Sequence, residues 1–178
     1  MLRPLVISDA EALQVINKLS LGYQFPLDRT QQQLEKLLGD AHHILLGLED
    51  PGSGRLLGYV HAEVFDTLYA ETGLNVLGLA VLSDWQNQGI GKKLMKGLEE
   101  EAKKHSYSFI RLNSGAQRKS AHAFYRKIGY NGDKLQKRFI KTVEWIYGVW
   151  LALKFWLGNS HPSKFYGIEV NLANRQGS

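Results

Sequence analysis

The sequence predicts one mixed α/β domain over residues 1–143, followed by an aromatic-rich extension over residues 144–178. Three observations lead there. Strand-length apolar segments alternate with segments of helical period in the order β-α-α-β-β-β-α-β-α-β, as expected for helices layered on a mixed sheet. One strand, "LNVLGLAVL" at 74–82, is apolar on both faces and so belongs inside the sheet. The 178 residues, 44% apolar and 22% charged, suffice for a buried core and argue against wholesale disorder.

Each element has its own signal. Residues 2–7, "LRPLVI", read as the first strand. Residues 8–20 read as a helix, with Ser8 or Asp9 as N-cap and an apolar stripe at Ala12, Leu13, Ile16 and Leu19. "GYQFP" breaks it, and a second helix over 28–40 ends near Gly39. "HHILLGLED", the turn "PGSG" and "RLLGYVHAEVF" make a hairpin of two strands. After strand 74–82 comes a helix over 89–106, then the strand "SFIRLNS" at 108–114. "KSAHAFYRKI" at 119–128 is the last helix, and "LQKRFIKTV" at 135–143 the last strand.

Composition removes several function classes. There is no cysteine, hence no disulfide framework, thiolate metal site or cysteine nucleophile. No histidine pair has a familiar metal-ligand spacing, so no metal is expected. The net charge of +5 suits an anionic small molecule, and the absence of basic runs interleaved with aromatics argues against nucleic acid. The N-terminus lacks the pattern of a secretion signal, which makes a cytoplasmic location the default. In the extension, the apolar run from Ile146 to Leu157 falls short of the ~20 residues that span a bilayer, so no membrane is expected. Its stripe of Ile146, Val149, Trp150, Leu153 and Leu157 suits a helix docked on the domain or on a second copy, as in a homodimer. The extension also reads as a fusion remnant, because the domain pattern ends before it.

The chemistry concentrates in "QNQGIGKK", residues 86–93, between a strand and a helix. Amides at a helix N-terminus are unpaired donors, and the helix dipole makes that end partly positive. Gly89 and Gly91 let a phosphate approach without a Cβ in the way, and Lys92 and Lys93 add charge. The stretch is neither a Walker loop nor a six-residue dinucleotide fingerprint. Taken alone, a plain tight turn, where glycine pairs are common, competes well as the explanation of the same glycines.

The wider pattern decides between them. Gln86, Gly89 and Gly91 follow a strand ending at Val81, and Ala121, Phe124, Tyr125, Gly129 and Tyr130 follow downstream. Together these segments resemble the GNAT superfamily of N-acetyltransferases, over roughly residues 1–143. Within it, "SAHAFYRKIGY" is similar to small-amine enzymes such as aminoalkylphosphonate N-acetyltransferases, with Arg118 where an asparagine is common. The resemblance implies a GNAT-like fold with a splayed central sheet, and acetyl-CoA as co-substrate. It implies that the turn formed by Gln86, Asn87, Gln88, Gly89, Ile90, Gly91 and Lys92 holds the pyrophosphate. It further implies that Leu79, Ala80 and Val81 pair with the pantetheine arm, with Phe124 beside the cofactor, and that Tyr125 is the general acid toward the leaving thiolate.

A phenol of pKa ~10 suits a thiolate of pKa ~8.5–10, since transfer between them is nearly balanced. The incoming amine must be neutral, and at pKa ~10.4 that costs roughly 4–5 kcal/mol at pH 7. Family members often carry a glutamate base on the fourth strand, but here those positions read Asn75, Val76, Leu77 and Gly78. Tyr59, His61 and Glu63 share one face of the preceding strand, which makes Glu63 or His61 the candidate base. Solvated edge residues are the competing reading of that pair. Tyr23 and Phe25 suggest an enclosed wall for a small amine, and Arg118 a contact with an anionic substrate. Two other readings use the same residues: an acetyltransferase of protein N-termini or lysines, and a non-catalytic acyl-CoA-binding regulatory module.

Overall fold

The computed structural model describes residues 1–132 and 134–142. Five strands form one sheet in spatial order β1 (Leu2–Pro4), β2 (His43–Glu49), β3 (Leu56–Thr67), β4 (Ala70–Val81) and β5 (Ile110–Leu112). All neighbours are antiparallel except β4 and β5, which run parallel. Two helices, α1 (Ala10–Ile16) and α2 (Leu27–Leu38), cover one face around Leu45, Leu56, Tyr59 and Ala80. The other face packs Leu46, Val60, Ala62, Leu74 and Val76 on α3 (Ile90–Lys104). The short helix α4 (Lys119–Lys127) follows β5. This is the mixed α/β order that the sequence predicts, through nine of its ten elements.

The tenth differs. Residues 135–142, the described part of the expected last strand, are in neither helix nor strand. Leu135, Phe139 and Ile140 are exposed there, so extended pairing gains no burial to offset its conformational cost. Chain contacts separate a compact unit, Met1–Leu135, from a second beginning at Gln136. The expected helical stripe of the extension lies outside the described residues. Among the described residues no helix is long and apolar enough to cross a membrane.

Periodicity explains α3. Ile90, Leu94, Leu98 and Ala102 recur every four residues, and Leu94, Met95 and Leu98 are completely buried. The helix expected over 8–20 is interrupted: α1 ends at Ile16, a π turn runs over Asn17–Leu21, and Gly22 at φ +77° ends it. Neither Ser8 nor Asp9 caps α1 from its side chain. Asp9 instead reaches backward and accepts from the Val6 N–H at 2.8 Å. Its carboxylate also takes two bonds from the Arg3 guanidinium, at 2.8 and 2.9 Å, and Arg3 binds Glu49 as well. One ion-pair cluster therefore fastens β1, β2 and the entry to α1.

β4 does not alternate simply. Ala62 of β3 faces Val76 and His61 faces Gly78, so Leu77 is an extra residue, a β-bulge. The bulge shifts the parity: Leu74 and Val76 point to α3, and beyond it Leu79 and Val81 do so again. The unbroken apolar run of 74–82 thus reflects a parity change as well as burial on both faces.

Burial raises the Asp9 pKa, but Arg3 and the Val6 N–H outweigh it and hold the carboxyl below the ordinary range. Its contribution is present at neutral pH and is lost as the pH falls below the unfolded value of ~3.9 and through the lower folded one. Asp9→Ala is expected to cost about 1.5–3 kcal/mol at pH 7, measured by urea unfolding, with a smaller difference from the parent near pH 3.

Candidate functional site

The site begins where two strands part. β4 and β5 pair only through Leu74–Ile110, Asn75–Arg111 and Val76–Leu112. Past Val76, β4 runs on to Val81 without β5 beside it. The Leu82 N–H donates to Leu57 C=O at 2.9 Å, which fixes the antiparallel alternation with β3. By that alternation the Ala80 backbone bonds β3, while the N–H and C=O groups of Leu79 and Val81 turn toward the gap. The gap therefore has a hydrogen-bonding wall ready for an extended amide chain. One group on it is already engaged: Val81 C=O accepts from Ser20 Oγ at 2.9 Å and Gln86 Nε2 at 3.1 Å. Near the C-terminal end of β5, the Ser114 hydroxyl is buried with no partner among the described residues.

β4 leads into the glycine turn. Asn87 and Gly89 are left-handed, at φ +60° and +80°, and an added Cβ on Gly89 would meet nothing within 4 Å. Lys93 N–H makes the first bond of α3, to Gly89 C=O at 3.0 Å. The four preceding amides, Gly89 to Lys92, have no helical acceptor and face the helix approach. Gln88 Nε2 braces the turn by donating to Asp84 C=O at 3.1 Å, and the buried Ile90 side chain anchors it. Gly91 has a different reason to be glycine. A Cβ there would lie 3.2 Å from Phe124 Cζ, so bare backbone lets the Phe124 ring of α4 pack on the first turn of α3.

α4 ends in a paired-bond stop. Tyr130 N–H donates to Tyr125 C=O at 2.9 Å and Gly129 N–H to Arg126 C=O at 3.0 Å, with Gly129 at φ +97°. This stop folds Tyr130 back against Tyr125, with ring centres 6.1 Å apart. Burial pushes the Tyr125 phenol up, and the Arg118 charge pulls it partly back. Tyr125 is therefore a protonated donor at physiological pH. Arg118 sits at the exposed start of α4, with its charge on Tyr125. Lys92, at the start of α3, is exposed as well.

The sheet face opposite α3 carries the second half of the site. His61 and Glu63 do share it, but β3 is the middle strand of five, so they are not edge residues. Glu63 lies opposite His43 on β2 and Asn75 on β4, and Asn75 Nδ2 donates to Glu63 Oε1 at 2.8 Å. His61 Nε2 meets His43 Nδ1 at 3.0 Å. Burial and then His43 push the His61 imidazole down to about 4, against the opposing pull of Glu63. His61 is thus neutral at pH 7 and a weak base, whereas Glu63 is held by one oxygen only.

The wall over β3 and β4 is the π turn and its continuation. The Tyr59 hydroxyl donates to Asn17 Oδ1 at 2.6 Å, and burial pushes its pKa up to about 12. That hydroxyl lies 3.4 Å from where a Gly78 Cβ would be, so glycine at the bulge makes room for the phenol. Tyr23 and Phe25 follow the turn, 67% and 50% exposed, with the Phe25 carbonyl held by Gln14 Nε2 at 2.9 Å. Sequence reasoning missed His43, Asn75 and Ser20. The first two are visible only through strand register, and Ser20 only through the π turn.

The Acetyltransferase (GNAT) family model matches residues 10–130. No curated protein matches the chain. Solved structures do. The aminoglycoside antibiotic 6'-N-acetyltransferase AAC(6')-Ih from Acinetobacter baumannii is 16% identical with a TM-score of 0.70, covering 81% of this chain and 99% of that one. AAC(6')-Iy in complex with the bisubstrate analogue CoA-S-monomethyl-acetylneamine is 14% identical at TM-score 0.71, covering 80% and 98%. Glucosamine-6-phosphate N-acetyltransferase from Arabidopsis thaliana is 18% identical at TM-score 0.65, covering 79% and 97%. At these identities the likeness is one of fold.

An imidazole that binds its proton near pH 4 when folded and near ~6.5 when unfolded makes stability fall as the pH drops through that window. Histidine side-chain NMR titration is expected to find the His61 imidazole still neutral at pH 5.5. Its titration near 6.5 would show that the His43–His61 contact is open in solution.

Proposed function

The chain belongs to the acetyltransferase (GNAT) family, and on that premise we propose that it moves an acetyl group from acetyl-CoA to the primary amine of a small molecule. The observation that carries this reading is the parted edge of β4 ending in an uncapped helix start. An extended amide arm fits the free groups of Leu79 and Val81 N–H, with Ala80 turned to β3. A pyrophosphate fits the amides of Gln88 to Lys92, in a turn braced by Gln86 and shaped by Asn87. Phe124 closes the far side of the turn against Gly91. Acetyl-CoA supplies a thioester, whose acetyl carbon takes the amine and whose sulfur departs as thiolate.

Tyr125 acts as the general acid. Its raised pKa keeps the proton on the hydroxyl until a thiolate needs it. Glu63 acts as the general base. The carboxylate missing from β4 is replaced by one on β3, tied to Asn75 across the strands at 2.8 Å. The neutral His61 imidazole, hydrogen-bonded to His43, borders Glu63, and Tyr59, Tyr23 and Phe25 wall the acceptor. A neutral border leaves the negative charge on Glu63 to attract an ammonium and accept its proton.

Saturating acetyl-CoA at 100 times its dissociation constant is expected to stabilise the protein by about 2.7 kcal/mol, about 5–10 °C in melting temperature. An unchanged melting temperature would remove the assignment. Tyr125→Phe is expected to keep that shift while free-CoA release with an amine falls about 10²- to 10⁴-fold. Glu63→Gln is expected to lower turnover about 10²-fold at pH 7 and progressively less toward pH 10, where the amine deprotonates unaided. A pH-independent defect would mean that Glu63 is structural.

A further inference from the structure

We propose that Arg111 binds an oxyanion on the acceptor, so that the acceptor is a small amine also bearing a carboxylate or a phosphoryl group. The inference rests on the acetyltransferase reading above and adds the substrate class.

Strand register sets the geometry. Glu63 of β3 lies opposite Asn75 of β4, and Asn75 lies opposite Arg111 of β5. The three form one row across the sheet, one residue before the last β4–β5 pair, Val76–Leu112, where the strands part. Ile110 and Leu112 pack toward α3, so Arg111 points to the opposite face, with Glu63. At strand spacings of about 4.8 Å, the Glu63 and Arg111 backbones are roughly 10 Å apart. Their side chains can converge on a molecule a few bonds long.

Arg111 is half-buried, and among the described residues it has no carboxylate partner. Its guanidinium instead lies 4.6 Å from the centre of the Phe65 ring, which stacks edge-on against Phe109. An aromatic platform holds the plane of the guanidinium but leaves its hydrogen-bonding edge unspent. A half-buried cation without a counter-charge is unfavourable unless something anionic completes it. A planar fork of donors suits the two oxygens of a carboxylate or phosphoryl group.

Between the charges, Asn75 gives Nδ2 to Glu63, while its Oδ1 is buried without a partner. The row thus reads anion, amide, cation. That order complements a molecule with an ammonium at one end and an oxyanion at the other. It repels a polycation, which would meet the guanidinium. The acceptor class therefore departs from the aminoglycosides for which AAC(6')-Ih is named.

The test uses the full chain and four amines: 2-aminoethylphosphonate, β-alanine and propylamine, of similar reach, and the longer polycation spermidine. Acetyl-CoA affinity is measured first by calorimetry, then release of free CoA with each amine. The expected result is a kcat/KM at least tenfold higher for one anionic amine than for propylamine, and the better of the two identifies the head group. Arg111→Met is expected to raise KM for that amine about 30-fold, with kcat within threefold and acetyl-CoA affinity unchanged. Arg111→Lys is expected to recover part of the loss, and its melting temperature controls for folding. Preference for propylamine or spermidine, no turnover of either anionic amine, or an equal loss on all amines in Arg111→Met overturns the role of Arg111. No binding of acetyl-CoA overturns the acetyltransferase reading instead.

Discussion

The structure turns on how little β4 and β5 pair. Three residue pairs hold them, and then the sheet opens. A parallel pair left open exposes a row of backbone donors and acceptors in the middle of a fold, which is costly unless something takes the place of the missing strand. The rest of the donor side serves that opening. The bulge at Leu77 resets the parity, so Leu79 and Val81 keep their side chains in the core while their backbone groups face the gap. The same strand then ends at Val81, from which the short connection to Gly89 delivers a helix N-terminus. Extended backbone and exposed amides thus occur in the order that an extended arm with a phosphate at its end requires.

The acceptor side depends on register rather than on sequence proximity. A carboxylate on β3 and an amide on β4 come together because Glu63 and Asn75 are cross-strand partners. Shifting the register by one would send Glu63 to the apolar α3 face. The position that lacks an acid in the strand therefore still has one in space. His61 adds polar surface without adding charge, because burial keeps its imidazole neutral. Charge on this face is confined to a few groups, and their order across the strands gives it direction.

Much of this was legible in the sequence. The element order, the α3 stripe at Ile90, Leu94, Leu98 and Ala102, and the glycine turn follow from periodicity and from glycine's allowance for positive φ. The sequence also put His61 and Glu63 on one face, since alternation along a strand is local. What it could not deliver needs distance. The Asn75 and His43 partnerships depend on which strands are neighbours. Asp9 looked like an N-cap because caps are local, yet its partner Arg3 lies on β1 and pulls it backward. The expected strand at 135–143 has apolar residues to offer a sheet, but Leu135, Phe139 and Ile140 bury nothing in the described residues. Pattern alone does not say whether a strand finds a neighbour.

The two glycines of the turn show why one motif carries several constraints. Gly89 is needed for its left-handed backbone, Gly91 for the Phe124 ring that rests on it. The first shapes the approach to the amides, and the second lets the Phe124 ring of α4 rest on α3, with Tyr125 next to it in the chain. Val81 links the halves in a similar way. Its carbonyl holds Ser20 of the π turn and Gln86 of the glycine turn at once. The π turn, through Asn17, also holds the Tyr59 hydroxyl beside Gly78. One backbone oxygen thereby ties the π turn to the glycine turn. Because that oxygen is already satisfied, an amide arm on this edge must use the Leu79 groups and the Val81 N–H. An arm using only those groups would leave the Ser20 and Gln86 bonds to Val81 C=O in place.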